Sequence, residues 1–135
     1  MVGEIKQCEI EALLDYAKQD EIASKMGFSD SLEENVASTN NFLYDLESAL
    51  KQQDVSIQDF LDDVENLPPE AREKLLDNAK SLKDMSSVLF SMCKETREKF
   101  NNAATGFQTN RAFLTYFTLN VLPVIEKIGR LNGGL

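Results

Sequence analysis

Apolar residues recur at intervals of three and four along most of the 135 residues, which is the period of an amphipathic helix. The clearest example is a coiled-coil-like stripe formed by Leu32, Val36, Thr39, Leu43, Leu46 and Leu50. Residues 115–121 are rich in β-branched and aromatic side chains, but a single strand without a partner cannot form a sheet. We therefore predict an all-α chain that folds as an antiparallel helical bundle of four longer helices plus one short helix.

Capping residues, glycines and prolines set the boundaries of the predicted helices. Gly27 ends the first helix, and Ser31 and Glu34 form a capping box at the start of the second. Pro68-Pro69 precedes the long fourth helix, and Pro123 should kink the last helix or end its regular hydrogen bonding. The predicted helices span residues 4–26, 31–53, 56–65, 69–103 and 107–128.

The length of the chain and its 42% apolar content fit one domain spanning residues 1–135. Its net charge of −9 is unevenly distributed. Residues 1–70 carry 17 acidic and 4 basic side chains, a net of −13, whereas residues 71–135 carry 6 acidic and 10 basic side chains, a net of +4. We expect the acidic half to pack beside the mildly basic half, with steering of a charged partner as the alternative.

Composition excludes several kinds of active site, since the chain contains no histidine. Ser-His-Asp and Cys-His sites cannot form within it, nor can zinc sites built on His or on four Cys. It has no glycine-rich nucleotide motif, and the acidic run at residues 59–65 lacks the ligand alternation of an EF-hand. We predict no catalytic, cofactor-binding or metal-binding residues and a protein that is not an enzyme. Carboxylates alone remain the open route to catalysis.

Cys8 and Cys93 are too far apart in sequence for a metal-ligand motif or a disulfide framework. We expect two reduced thiols packed as small apolar side chains, with a redox pair as the alternative if their helices meet. The N-terminal sequence lacks the basic and apolar regions of a signal peptide. The best membrane candidate, residues 112–125, is 14 residues long, short of the roughly 20 that a spanning helix needs.

Basic residues between Arg72 and Lys99 alternate with acidic ones, so they form no net-positive stripe for phosphates. From these features we expect a cytoplasmic protein with no membrane span and no nucleic-acid partner.

The last predicted helix is apolar on more than one side, which a helix at the periphery of a bundle does not require. Phe107, Phe117 and Val121 belong to one stripe, whereas Phe113 and Tyr116 lie on a different side. Such a helix is either the buried centre of a bundle or an exposed face for a partner, and aromatic side chains are common interface anchors. The residues predicted to bind a partner are Phe107, Phe113, Leu114, Tyr116, Phe117 and Val121.

Asn110-Arg111 opens this apolar helix and Asn132-Gly133 follows it. In a small acidic helical protein, that pattern resembles bacterial secretion and flagellar export chaperones, although the likeness covers less than a quarter of the chain.

These observations predict a non-catalytic protein–protein interaction module, meaning an adaptor, a regulator or a secretion-chaperone-like protein. It would bind another protein or a peptide segment through the apolar face of the C-terminal helices, while the acidic half guides approach and keeps the free protein in solution. One alternative is a structural homo-oligomer, such as a homodimer, built through the stripe from Leu32 to Leu50. Another is an acidic inhibitor that mimics nucleic acid and blocks a basic site on a target.

Overall fold

A computed structural model describes residues 16–132. Three helices come first: α1 is Tyr16–Met26, α2 is Leu32–Glu65 and α3 is Pro69–Ala104. One helical stretch follows, made of α4, Asn110–Tyr116, a π-helical segment, Phe117–Val121, and α5, Leu122–Asn132. The described residues contain no strand, so the all-α prediction is confirmed. The antiparallel arrangement of four helices in one bundle stays a prediction.

α1 ends where the sequence predicts, at Met26. Gly27 follows with a φ of +71°, a left-handed conformation that a residue without Cβ adopts at little cost. Its N–H donates to the Ser24 carbonyl at 3.2 Å, and the Phe28 N–H donates to the Ala23 carbonyl at 2.9 Å. These two bonds make a Schellman motif, which satisfies carbonyls at the end of the helix. The predicted beginning of this helix lies outside the described residues.

α2 begins with the predicted capping box, completed by a third residue. The Glu34 N–H donates to Ser31 Oγ at 3.3 Å, as a capping box requires. The Glu34 carboxylate does not return to the Ser31 N–H but accepts a hydrogen bond from Ser29 Oγ at 2.9 Å. Ser29 Oγ accepts the Ser31 N–H at 3.1 Å, so the backbone donor is still satisfied.

α2 then continues to Glu65, so the predicted break after Gln53 and the separate short helix from Ser56 are not found. No glycine or proline lies between residues 31 and 67 to interrupt the backbone hydrogen bonds. Asp54, at the predicted break, accepts hydrogen bonds from two α3 side chains, Lys83 Nζ at 2.6 Å and Ser87 Oγ at 3.1 Å. This tertiary contact stabilises the helical conformation at the point where local capping signals suggested a helix end.

The described chain divides into two compact units, and α2 and α3 contribute to both. The hairpin unit is Leu43–Glu95, and the terminal unit comprises residues 16–42 and 96–132. In the hairpin unit, the Cys93 thiol donates to the Leu43 carbonyl at 3.5 Å, while Asp54 meets Lys83. From Leu43 to Asp54 the residue numbers in α2 rise, while those of the contacting α3 residues fall from Cys93 to Lys83, so α2 and α3 run antiparallel there. The single-domain prediction stays a prediction.

Aromatic side chains fill the core of the terminal unit. The Phe28 ring meets the rings of Phe113 and Phe117 edge to face, with centroids 5.0 Å and 5.2 Å apart. Phe100, at the end of α3, packs against Phe113 at 6.2 Å. Edge-to-face pairs contribute about 0.5–1.5 kcal/mol beyond the area that they bury. The last helix is therefore held by the loop after α1 and by the end of α3.

A buried amide fixes where α4 begins. Asn35 is 2% exposed, and its Nδ2 donates to Asn110 Oδ1 and to the Ser29 carbonyl, both at 2.8 Å. Its Oδ1 accepts the Ser29 N–H at 2.9 Å, and Asn110 Nδ2 donates to the Ser29 carbonyl at 3.1 Å. Buried polar groups are costly unless they are satisfied, so this network specifies the position of the first α4 residue.

Within residues 16–132, no helix combines the length and the apolar character that crossing a membrane requires.

Candidate protein-binding surface

A π-helical segment interrupts the last helix immediately before its proline. Thr109 caps α4, because its Oγ1 accepts the Ala112 N–H at 3.1 Å. At the other end of the π segment, the Leu122 N–H donates to the Phe117 carbonyl, five residues back. Pro123 follows and has no N–H to donate. Regular α-helical hydrogen bonding is therefore interrupted just before Pro123, but the helix does not end there, because α5 continues to Asn132. The predicted kink at Pro123 stays a prediction.

The structure places four of the six predicted partner-binding residues in the core. Phe113, Phe117 and Val121 are 0% exposed, and Leu114 is also buried. A partner cannot reach these side chains while the fold is intact. Most of the unusual apolar width of the last helix is thus accounted for by packing within the terminal unit.

Phe113 lies on the same side of the helix as Phe117, not on a different side as the sequence suggested. Residues four apart on a helix differ by only about 40° around its axis, so both rings point toward the same neighbours. The two rings lie 5.9 Å apart, and both contact Phe28. The apolar stripe that the sequence analysis assigned to the last helix was placed too far around the helix axis to include Phe113.

The other two predicted residues, Phe107 and Tyr116, are half-buried and line an open groove. Its volume is about 540 Å³, and its lining is mainly apolar. The groove is formed by Phe107, Thr109, Arg111, Ala112, Thr115, Tyr116, Leu119 and Asn120. Sequence reasoning missed Ala112 and Leu119. Their positions four before and three after Tyr116 are the spacing of one helix face, which was the available signal.

The two aromatic groove residues are packed from behind by the core. The Phe107 and Tyr116 rings lie 5.6 Å apart, and each is 6.2 Å from the buried Phe100 ring. An anchor that is already ordered loses little conformational freedom when a partner covers it. The groove is therefore a preformed apolar surface.

Among the described residues, Arg111 is the one charged side chain that lines the groove. Its guanidinium donates to Gln19 Oε1 at 2.6 Å and lies 3.4 Å from Asp20 Oδ1. Because Gln19 is buried whereas Asp20 is well exposed, the hydrogen bond to the Gln19 amide oxygen fixes the position of the guanidinium more firmly than the exposed ion pair does. The positive charge of Arg111 therefore has a defined position at the rim of the groove.

A smaller groove of about 390 Å³ lies within the hairpin unit. It is lined by Ser87, Val88, Ser91, Met92 and Glu95. The hairpin unit also exposes several large apolar side chains, among them Phe60, Leu67, Leu75 and Leu82, each 37–47% exposed.

Among the described residues, no group of three cysteine or carboxylate side chains is arranged to hold a metal ion. Cys93 is buried in the hairpin unit. Cys8 lies outside the described residues. Whether the Cys8 and Cys93 thiols meet, as the redox-pair alternative requires, is therefore not tested.

Comparisons of the chain with protein-family models, with curated proteins and with solved structures find no match.

Proposed function

We propose that this protein is a non-catalytic interaction module, an adaptor, regulator or chaperone-like protein, that binds an apolar helical segment of a partner protein. The observation that carries the proposal is the open apolar groove on the last helix. A groove with ordered aromatic anchors is typical of sites that take the apolar face of a helix.

Buried and exposed residues of the last helix, together with Phe107 in the loop before it, have separate roles in this proposal. Phe113, Leu114, Phe117 and Val121 form the core that supports the groove from behind. Phe107, Ala112, Tyr116 and Leu119 form the surface that a partner covers. The proposed partner-binding site therefore lies on the outer side of the helix and not at the buried residues that the sequence predicted. The core residues contribute to binding only by supporting the groove.

The first experiment is selection of helical peptides from a display library on the full chain, followed by affinity measurement on two variants. Leu119→Asp places a charge in the groove, and we expect at least a tenfold loss of affinity because a buried unpaired charge is strongly unfavourable. Val55→Asp is the matched control, since Val55 is an exposed apolar residue of the hairpin unit. It should leave the affinity unchanged.

Circular dichroism of both variants verifies that they fold. Peptides that bind Leu119→Asp and the unaltered chain equally well would contradict the groove as the binding site.

The exposed side chains of the hairpin unit support a second candidate function, self-association. Two antiparallel helices bury one side against each other, and a second hairpin can cover a remaining apolar face to make a four-helix arrangement. In the stripe from Leu32 to Leu50, Thr39, Leu43 and Leu50 are buried and the other three residues are half-buried, so the stripe offers little surface for this role. Leu75 and Leu82 on α3 are the exposed alternative.

Light scattering after size-exclusion chromatography tests self-association directly. A dimeric mass that becomes monomeric in the Leu75→Asp/Leu82→Asp variant would support it. A monomeric mass at high concentration would reject it.

A further inference from the structure

The side of the last helix that forms the groove continues into α5 and changes character there. Ala112, Tyr116 and Leu119 are followed on the same side by Pro123, Lys127 and Arg130, at spacings of 4, 3, 4, 4 and 3. Such spacings keep residues on one side of an α-helix. The single π-helical turn at Phe117–Val121 rotates the α5 residues around the axis by only a fraction of a turn. Lys127 and Arg130 are exposed. The surface is therefore apolar along α4 and the π segment and basic along α5.

The local charge differs in sign from that of the whole chain. Residues 110–132, which form the last helical stretch, carry three basic side chains and one acidic one, a net of +2, within a chain of net charge −9. The acidic residue nearest to Lys127 in sequence is Glu126, which is rotated about 100° around the helix from it. At the opposite end of the groove, Asp20 lies beside Arg111 and offsets its charge. Among residues 16–132, no carboxylate forms an ion pair with Lys127 or Arg130, so the uncompensated positive charge on the described part of this face lies at the α5 end.

We infer that the partner segment is an amphipathic helix with acidic side chains clustered at one end. This inference rests on the proposed function, because it assumes that a helix occupies the groove. Tyr116 and Lys127 are eleven residues apart, which is about 16 Å along a helix. The acidic end of the partner lies about three helical turns from the apolar residue that covers Tyr116. Charge complementarity at this end fixes the direction in which the partner lies.

The test uses designed amphipathic peptides about four turns long that share one apolar face. One pair carries glutamates in the first or in the last turn, and the other pair carries lysines in the same places. Fluorescence anisotropy measures their affinities for the full chain at several salt concentrations. We expect the affinity of one glutamate peptide to be at least about fivefold higher than that of its lysine counterpart. This difference in affinity should shrink as the salt concentration rises.

Two double variants decide where the preference arises. Lys127→Glu/Arg130→Glu should reverse the preference in favour of a lysine peptide. Lys74→Glu/Lys80→Glu makes the same change in net charge at exposed positions of the hairpin unit and should leave the preference in place. An equal reversal in both variants would mean that only the total charge matters, and it would overturn the inference.

Leu119→Asp separates failure of the inference from failure of the proposed function. If Leu119→Asp abolishes binding but glutamate and lysine peptides bind equally, the groove is the site and the acidic-end inference is wrong. If all peptides bind Leu119→Asp as they bind the unaltered chain, or none binds either protein, the groove proposal and the inference fail together.

Discussion

Neighbouring side chains of the last helix have opposite environments although they are similar in chemistry. Phe117 is fully buried and in contact with Phe28, while Tyr116 is half-buried at the groove. One residue step turns a side chain by about 100° around a helix, so adjacent aromatic residues face different surroundings. A substitution at each position consequently tests a different property.

Phe117→Ala should lower the free energy of unfolding by about 3–5 kcal/mol, because it removes a fully buried ring and leaves a cavity. Leu119→Asp should cost far less stability, since its side chain lies at the open groove. Urea unfolding followed by circular dichroism measures both. A Phe117→Ala variant as stable as the unaltered protein would show that the ring is not in the core.

Asp54 is a described residue whose titration should affect stability. The hydrogen bond that it accepts from the Lys83 ammonium, aided by the one from Ser87, holds the pKa of the Asp54 carboxyl below its ordinary value of 3.8, against the opposing effect of burial. The unfolded chain therefore takes up this proton first as the pH falls. The stabilisation is present above the ordinary pKa and is lost as the pH falls through the lowered value.

Asp54→Asn should accordingly destabilise the protein at neutral pH, and its difference from the unaltered chain should shrink below about pH 4. Urea midpoints measured from pH 7 to pH 2 give this difference. Asp59→Asn, at an exposed position of the same helix, is the matched control and should show no comparable change. A constant difference across the whole range would argue against a titrating ion pair.

The elements differ in how far local signals determine them. The capping box and Gly27 act within one helical turn, and the helix boundaries that they predict are observed. The signals around Ser56 are of the same kind, yet α2 passes through them. A capping residue stabilises a helix start only when the preceding residues leave the helical conformation, and the contact of Asp54 with α3 opposes that.

Ser56→Pro tests the continuity of α2. Proline inside a helix removes a hydrogen bond and clashes with the carbonyl four residues earlier, at a cost of about 3 kcal/mol, but it is tolerated in a first turn. Because residue 56 lies within α2, we expect the full cost in urea unfolding. Ser56→Ala is the control and should be nearly neutral. A cost below about 1 kcal/mol for the proline variant would indicate a helix start at this point.

At the scale of the whole molecule, two compact units share two helices. If one unit unfolded alone, α2 and α3 would each be interrupted in the middle. The helical parts left in the other unit would then lose backbone hydrogen bonds at their new ends. We therefore expect the chain to unfold as one cooperative domain.

Cys93 reports on the hairpin unit, because it is buried there. In a Cys8→Ser variant, the urea midpoint for exposure of the Cys93 thiol should coincide with the midpoint from near-ultraviolet circular dichroism, to which the aromatic core of the terminal unit contributes. Two separate midpoints would mean that the units unfold independently and would overturn the single-domain prediction.

The sequence by itself determined the fold class and the helix boundaries at Met26, Leu32, Glu65, Pro69 and Ala104, because periodicity, caps, glycines and prolines act over one or two turns. It also identified the last helix as the unusual element. Tertiary structure decided that α2 is continuous and that Phe113 joins Phe117 in the core. It also decided that the remaining apolar surface of that helix lies around Tyr116 and Leu119. The spacing of residues fixes which side chains share a face, but only the packing of neighbouring helices fixes which faces are covered.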